Sequence, residues 1–211
     1  MALLVEGDLP IEWYDAAIIS QRIGVDIETS GLNKLTDKIA TVQIFVPGKG
    51  TIIIRKLKEP QWLGALLESP LTTKIFHNAS FDLAFLIRDL GIWPQMIADT
   101  KIAARLVDPK KTRFIHPVTN KGSHALLSLV YHFHNIMLDK SIAVSDWFAD
   151  KLDPEQLDYA EKDVIYLPDM LQTMEKELLE LGDYRLLRNV YNGIVPDVIL
   201  TSKQIEDVYK Y

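Results

Sequence analysis

Residues 22–55 read RIGVDIETSGLNKLTDKIATVQIFVPGKGTIIIR, and this stretch decides the fold. Its apolar residues fall into three short runs, 22–28, 39–46 and 51–55, rich in valine, isoleucine and threonine. Branched β carbons are stiff in a helix and pack well on a pleated surface, so the runs predict strands. Pro47-Gly48-Lys49-Gly50, between the second and third runs, has the turn chemistry of a hairpin. Three consecutive strands in an antiparallel meander follow. Beyond residue 55 the texture changes to a helix at 61–68, a short strand at 74–77, a helix at 80–90 ended by Gly91, a strand at 96–98 and a helix at 100–107. Strand, helix and strand in that order require parallel pairing through crossover helices. Residues 3–6 read as a further short strand and 11–20 as a short helix. The expectation is an α/β domain with a mixed sheet.

Further along, residues 108–122 hold two prolines, four basic residues and no hydrophobic period, so they predict a loop; a helix resumes at 123–133. Asp153-Pro154-Glu155-Gln156 is a helix start, with Asp153 as N-cap, Pro154 at the first helical position and Gln156 placed for a capping box. Ala160, Val164, Leu167, Leu171, Met174, Leu178 and Leu181 then recur at four- and three-residue steps, one apolar face of a long helix ending near Gly182. Pro168 has no amide hydrogen for the ladder and predicts a kink or break between Val164 and itself.

Bulk properties narrow the class. The chain has 211 residues, 48% of them hydrophobic and 25% charged, which suits one soluble core and excludes a disordered tail, a collagen or a coiled-coil rod. With 23 basic against 29 acidic residues the net charge is −6, so a polyanion must meet a local basic patch or bound cations. Lys110, Lys111, Arg113 and Lys121 form the densest basic loop and are candidates for phosphate contact, although a solvated loop is as natural a reading. The absence of cysteine excludes disulfides, thiolate nucleophiles and cysteine-ligated zinc. His116, His124, His132 and His134 have no spacing suited to a metal site on a helix. No signal peptide and no apolar run of about 20 residues is readable, so the expected location is cytoplasmic, without membrane contact.

Three segments carry acids in chemically useful places. Asp26 and Glu28 are two apart on a strand, so their side chains leave one face while Val25 and Ile27 enter the core. Asp82 falls in the first turn of a helix after His77-Asn78, where it also suits the helix dipole. Tyr159 and Asp163 are at i and i+4, hence on one helix face with β carbons about 6 Å apart. Singly, each also fits a structural role: a solvated strand end, a dipole partner, a surface acid beside a half-buried tyrosine.

Together they are far more specific. Val25-Asp26-Ile27-Glu28-Thr29-Ser30-Gly31-Leu32, then His77-Asn78 through Phe81-Asp82, then Tyr159 through Asp163, in this order, resembles the DEDD family of 3′ to 5′ exonucleases in its tyrosine-bearing subgroup. Ser145-Asp146-Trp147 and Gln156-Leu157-Asp158-Tyr159-Ala160 narrow the likeness toward ribonuclease D and the exonuclease domain of the Werner-syndrome helicase. The glutamine usual shortly before Ser-Asp-Trp is Ala143 here.

The resemblance implies an RNase H-like fold, a mixed five-stranded sheet flanked by helices. The expectation is one exonuclease domain over residues 1–211; in departing from ribonuclease D, it is expected to have no helical accessory domain. It implies that Asp26, Glu28, Asp82 and Asp163 converge on two Mg²⁺ or Mn²⁺ ions, Asp26 bridging them, and that Tyr159 orients the attacking water. Thr29 would lie near the terminal 3′ hydroxyl and Leu32 against the base. His77, Asn78, Phe81 and Trp147 would also lie near the substrate, Phe81 and Trp147 equally readable as packing residues. The implied activity is release of nucleoside monophosphates from the 3′ end of single-stranded or 3′-tailed RNA or DNA, ribonuclease D-like. A proofreading-type DNA exonuclease is the alternative within the class, and a non-catalytic nucleic-acid-binding scaffold is the alternative from another class.

Overall fold

The computed structural model describes residues 2–205; Met1 and residues 206–211, the two ends of the expected domain span, lie outside it. The meander is present as β2 (Arg22–Thr29), β3 (Ile39–Val46) and β4 (Gly50–Arg55), antiparallel throughout, with Asp26 opposite Gln43 and Val42 opposite Ile54. On the far side of β2, β5 (Thr73–Phe76) and then β6 (Ile97–Asp99) add in parallel. The sheet therefore mixes both senses, as expected.

It has six strands, not five. β1 (Leu3–Glu6) runs parallel to β4, Leu3 opposite Ile52, and gives the order β1-β4-β3-β2-β5-β6. A parallel partner needs a long connection. Here that connection contains α1 (Ile11–Ser20) and the first two meander strands, so no local turn announces the pairing.

The remaining helices are α2 (Gln61–Glu68), α3 (Ala79–Leu90), α4 (Thr100–Val107), α5 (Leu126–His134), α6 (Pro154–Ile165), α7 (Leu167–Glu180) and α8 (Tyr184–Ser202). The capping box at Asp153 forms, its amide donating to Gln156 Oε1 at 2.9 Å. The single long helix expected after it is broken where Pro168 requires: α6 stops at Ile165 and α7 starts at Leu167. Pro168 cannot donate to the carbonyl four residues back, Val164; that carbonyl accepts from the Tyr166 amide at the cap instead, and it matters below. Leu181 was expected on the buried stripe but is exposed, because α7 has ended at Glu180. α8 was not foreseen. Its buried residues Leu187, Tyr191, Ile194 and Val198 do follow a helical period, but Pro196 lies inside and masks it.

Two apolar clusters flank the sheet. The larger takes Ile23, Val25 and Ile27 of β2 with Leu63, Leu66 and Leu67 of α2 and Leu83 and Leu86 of α3. Each such residue, removed from water, contributes roughly 1.5–3 kcal/mol. The smaller lies under α6 and gathers Ala40, Ile53, Trp147, Leu152, Tyr159 and Ala160. Arg22, Gly24, Asp26 and Glu28 face α6 and α7; Arg22 bonds Glu175 of α7 at 2.6 Å. No helix among the described residues is long and apolar enough to cross a membrane.

Candidate active site

The site is assembled where α6 crosses β2. A β carbon on Gly24 would overlap the carbonyl oxygen of Val164, so only glycine lets the end of α6 rest directly on the strand. That close approach sets Tyr159 and Asp163, one turn apart on the underside of α6, above the two β2 acids. Asp26, Glu28 and Asp163 each present a carboxylate oxygen, all within 4.8 Å of one another. Asp26 is fixed from across the sheet: Gln43 Nε2 donates to its Oδ2 at 2.6 Å, and Thr41 Oγ1 donates to Gln43 Oε1 at 3.0 Å, which sets the amide the right way round.

Asp82 comes from a different corner. Asp99, at the end of β6, accepts the amides of Ala79 at 2.7 Å and of Lys101 and Ile102 at 2.7 and 3.1 Å, tying the starts of α3 and α4 to one carboxylate. This places Asp82, in the first turn of α3, in the interior at 2% exposure. Its Oδ1 is buried without a hydrogen-bond partner. Asp82 stands outside the 4.8 Å group, yet its charge is felt by Glu28, and Asp26 acts on it in turn.

So many acids in one dry place resist ionisation. Burial first, and then the Asp163 charge, push the Asp26 carboxyl up to about 7. Burial, then Asp26 and Asp163, push Glu28 up to about 10, and Asp82 is raised well above the usual carboxylate range by burial and Asp26. Burial and the neighbouring carboxylates also raise the Tyr159 hydroxyl, which stays neutral and able to donate. Hard oxygen ligands that repel one another until cations arrive, with one buried oxygen left unbonded, fit Mg²⁺ or Mn²⁺.

The residues expected around the substrate are distributed less evenly. Thr29 Oγ1 donates to the Gly31 carbonyl at 2.6 Å, and Leu32 stands 83% exposed. The loop bearing Leu32 is braced by Arg88, which donates to the Lys34 and Asp37 carbonyls. His77 Nδ1 is 2.8 Å from Thr100 Oγ1, and burial pushes its imidazole down to about 3, so it is neutral. Asn78 holds a left-handed backbone, φ 79°, at the cap of α3, and its Oδ1 accepts from Lys101 at 3.1 Å. Phe81 is half-buried, 5.0 Å from the Phe85 ring, with Lys34 5.9 Å over its own.

Two residues that the sequence left with open readings have defined surroundings. Trp147 is 2% exposed, packed 6.0 Å from the Tyr159 ring in the small core, so it has no face for a base. Arg113 is engaged with Glu177 of α7 at 2.6 Å, which takes it out of the free basic loop; Lys110, Lys111 and Lys121 remain exposed. Gln43, Gly24 and Lys140 were not singled out from the sequence. Only Gln43 carried a signal, a polar residue within the apolar run of β3. Lys140 Nζ donates to Asp163 Oδ1 at 2.7 Å and Oδ2 at 2.9 Å and to the Tyr159 hydroxyl at 3.2 Å.

A family profile described as 3′-5′ exonuclease matches residues 8–179. Ribonuclease D of Cronobacter turicensis is 28% identical over 182 residues, 85% of this chain but 46% of its own length, so the chain spans less than half of that relative. Brucella melitensis NrnC solved with bound Mg²⁺ superposes at a TM-score of 0.83 with 28% identity, and the same protein bound to pGG at 0.82 with 26%; both alignments cover 100% of each chain. The matched span runs from just after β1 to the end of α7 and contains every candidate acid, and the chain belongs to the 3′-5′ exonuclease family of the DEDD type.

Proposed function

We propose that this chain is a metal-dependent 3′ to 5′ exonuclease whose substrates are short single-stranded oligonucleotides of the pGG kind, RNA before DNA. The observation that carries the reading is the meeting of Asp26, Glu28 and Asp163 within 4.8 Å, beside the unbonded Asp82 oxygen and under the Tyr159 hydroxyl. The short-substrate part is supported by the full mutual coverage with NrnC, which has been solved bound to pGG. Asp26, Glu28, Asp82 and Asp163 would hold two Mg²⁺ or Mn²⁺ ions. Bound there, divalent cations supply charge neutralisation for the phosphodiester and acidify water.

The chain's own groups do the rest. Tyr159, neutral, holds the attacking water by a hydrogen bond and aligns it with phosphorus. Gln43 keeps Asp26 in one orientation. Thr29, Leu32, His77, Asn78 and Phe81 border the space for the terminal nucleotide. Water adds to phosphorus, the bond to the preceding 3′ oxygen breaks, that oxygen gains a proton, and a nucleoside 5′-monophosphate leaves.

The test incubates the full chain with pGG, a longer single-stranded RNA, its DNA counterpart and a 3′-tailed duplex, each in Mg²⁺, Mn²⁺ or EDTA. The expected result is stepwise release of monophosphates, fastest from pGG, silent in EDTA. Preference for DNA would move the reading to a proofreading-type enzyme. Binding without cleavage in every metal would make it a scaffold.

A further inference from the structure

Among the described residues, one cation bonds directly to the candidate catalytic side chains. Lys140 lies between α5 and the short 3-10 turn Ser141–Val144. Its ammonium bonds both oxygens of Asp163, at 2.7 and 2.9 Å, and the Tyr159 hydroxyl, at 3.2 Å; it also rides 4.7 Å from the centroid of the Tyr159 ring. An ammonium has three donors and no acceptor, and these three contacts use them all. The Asp163 carboxylate is 8% exposed, so no bulk water competes strongly for it. The Lys140 side chain is 36% exposed and reaches the site from its open side.

Asp163 is also one corner of the three-carboxylate group. A divalent cation that used its oxygen together with those of Asp26 and Glu28 would need lone pairs that Lys140 now holds, and would meet a like charge at ligand distance. The Tyr159 hydroxyl is tied to the same ammonium through one of its lone pairs, while its own O–H remains a donor.

We propose that Lys140 is a resident counter-cation of the metal site: in the metal-free protein its ammonium occupies Asp163 and Tyr159, and it withdraws toward solvent when divalent cations bind. Metal loading is then an exchange of one cation for another, in which Asp163 and Tyr159 both give up their bonds to the ammonium. The inference rests on the metal-dependent reading above and concerns only this chain's own side chain.

Two measurements on the full chain, without nucleic acid, test it. The first is calorimetric titration of Mg²⁺ and Mn²⁺ into wild type and Lys140→Met, which keeps the length of the side chain. The expected result is affinity at least about tenfold tighter in the variant, a difference of about 1.4 kcal/mol. A lysine that merely stood nearby would also raise affinity when removed, so the second measurement follows the amine itself. Wild-type protein is reductively methylated with and without saturating Mg²⁺ and mapped by mass spectrometry, with exposed Lys110 as the reference. Methylation of Lys140 is expected to rise several-fold with Mg²⁺ while that of Lys110 stays level. Unchanged Lys140 methylation in a protein that calorimetry shows to be metal-loaded overturns the exchange and leaves the metal site standing. Failure of wild type and variant alike to bind either metal overturns the metal site and the exchange together.

Discussion

The carbonyl oxygen of Val164 occupies the space that a side chain on Gly24 would need. Two sequence features meet at that contact. Pro168 removes the amide that would have bonded Val164 in a continuous helix, and Gly24 removes the methyl that would have held the helix off the strand. Tyr159 and Asp163 reach the β2 acids because both conditions are met in one place.

Gly24→Ala should therefore damage the site from outside it. Inserting a methyl into a packed contact costs typically 1–3 kcal/mol. Displacing α6 by even 1 Å costs on the order of 10²-fold in rate. Chemical denaturation and single-turnover cleavage of the variant check the two effects, and a folded, fully active Gly24→Ala would show that α6 can shift without moving Asp163.

The raised carboxyls give the metal-free protein a signed pH dependence. Asp26 titrates near 7 and Glu28 near 10 in the fold, against roughly 4 when unfolded. The folded state thus binds protons that the unfolded chain has released, and this contribution is full below about pH 4 and lost as pH rises through 7 and on toward 10. The metal-free melting temperature should fall across that window. Asp26→Asn should flatten the part near pH 7 and raise the metal-free melting temperature there, while abolishing cleavage by several orders of magnitude. Melting curves from pH 4 to 10 in EDTA, wild type against variant, decide it; parallel curves would mean that Asp26 is ionised throughout.

Cations that bind the folded cluster and not the unfolded chain must raise the melting temperature by mass action. Asp82→Asn and Asp163→Asn should each lose most of the Mg²⁺- or Mn²⁺-induced rise. Asp82 is the sharper case, because it stands outside the 4.8 Å group and only its unbonded Oδ1 argues for ligation. A wild-type metal shift in Asp82→Asn would reduce the ligand set to three.

Tyr159→Phe should slow single-turnover cleavage by about 10²–10⁴-fold, the usual worth of a group that positions a proton-transferring water. Because the hydroxyl is held neutral by burial and by the neighbouring carboxylates, the wild-type rate should show no tyrosine ionisation up to pH 10. Calorimetric metal titration of the variant should match wild type within a few-fold. Rapid cleavage by the phenylalanine variant would remove the tyrosine from the chemistry.

Trp147 makes a contrasting case. Replacing a buried tryptophan by alanine costs typically 3–5 kcal/mol, and the loss should appear in denaturation of the metal-free protein. Trp147→Phe, which keeps an aromatic body behind Tyr159, should recover much of that stability and leave KM for pGG near wild type. A large KM increase in that variant would return Trp147 to the substrate.

Some of the protein is written locally and was legible. The meander follows from branched residues around Pro47-Gly48-Lys49-Gly50, the start of α6 from Asp153 and Gln156, and its end from Pro168, because strand preference, capping and a missing amide act within a few residues. The identity of the acids was legible only as an ordered set of motifs, since spacing alone leaves Asp26 and Asp163 as a strand end and a surface acid. Tertiary structure decided the rest. β1 found β4 across two intervening strands, Trp147 was drawn under α6 to fill the small core, and Arg113 was claimed by Glu177. Gln43 and Lys140 acquired roles because close packing set them against Asp26 and Asp163, from 17 and 23 residues away in the chain. Local rules rank what a residue prefers; which charges share one dry pocket is set by how helix and sheet close on each other, and in this chain that closure turns on the single missing side chain of Gly24.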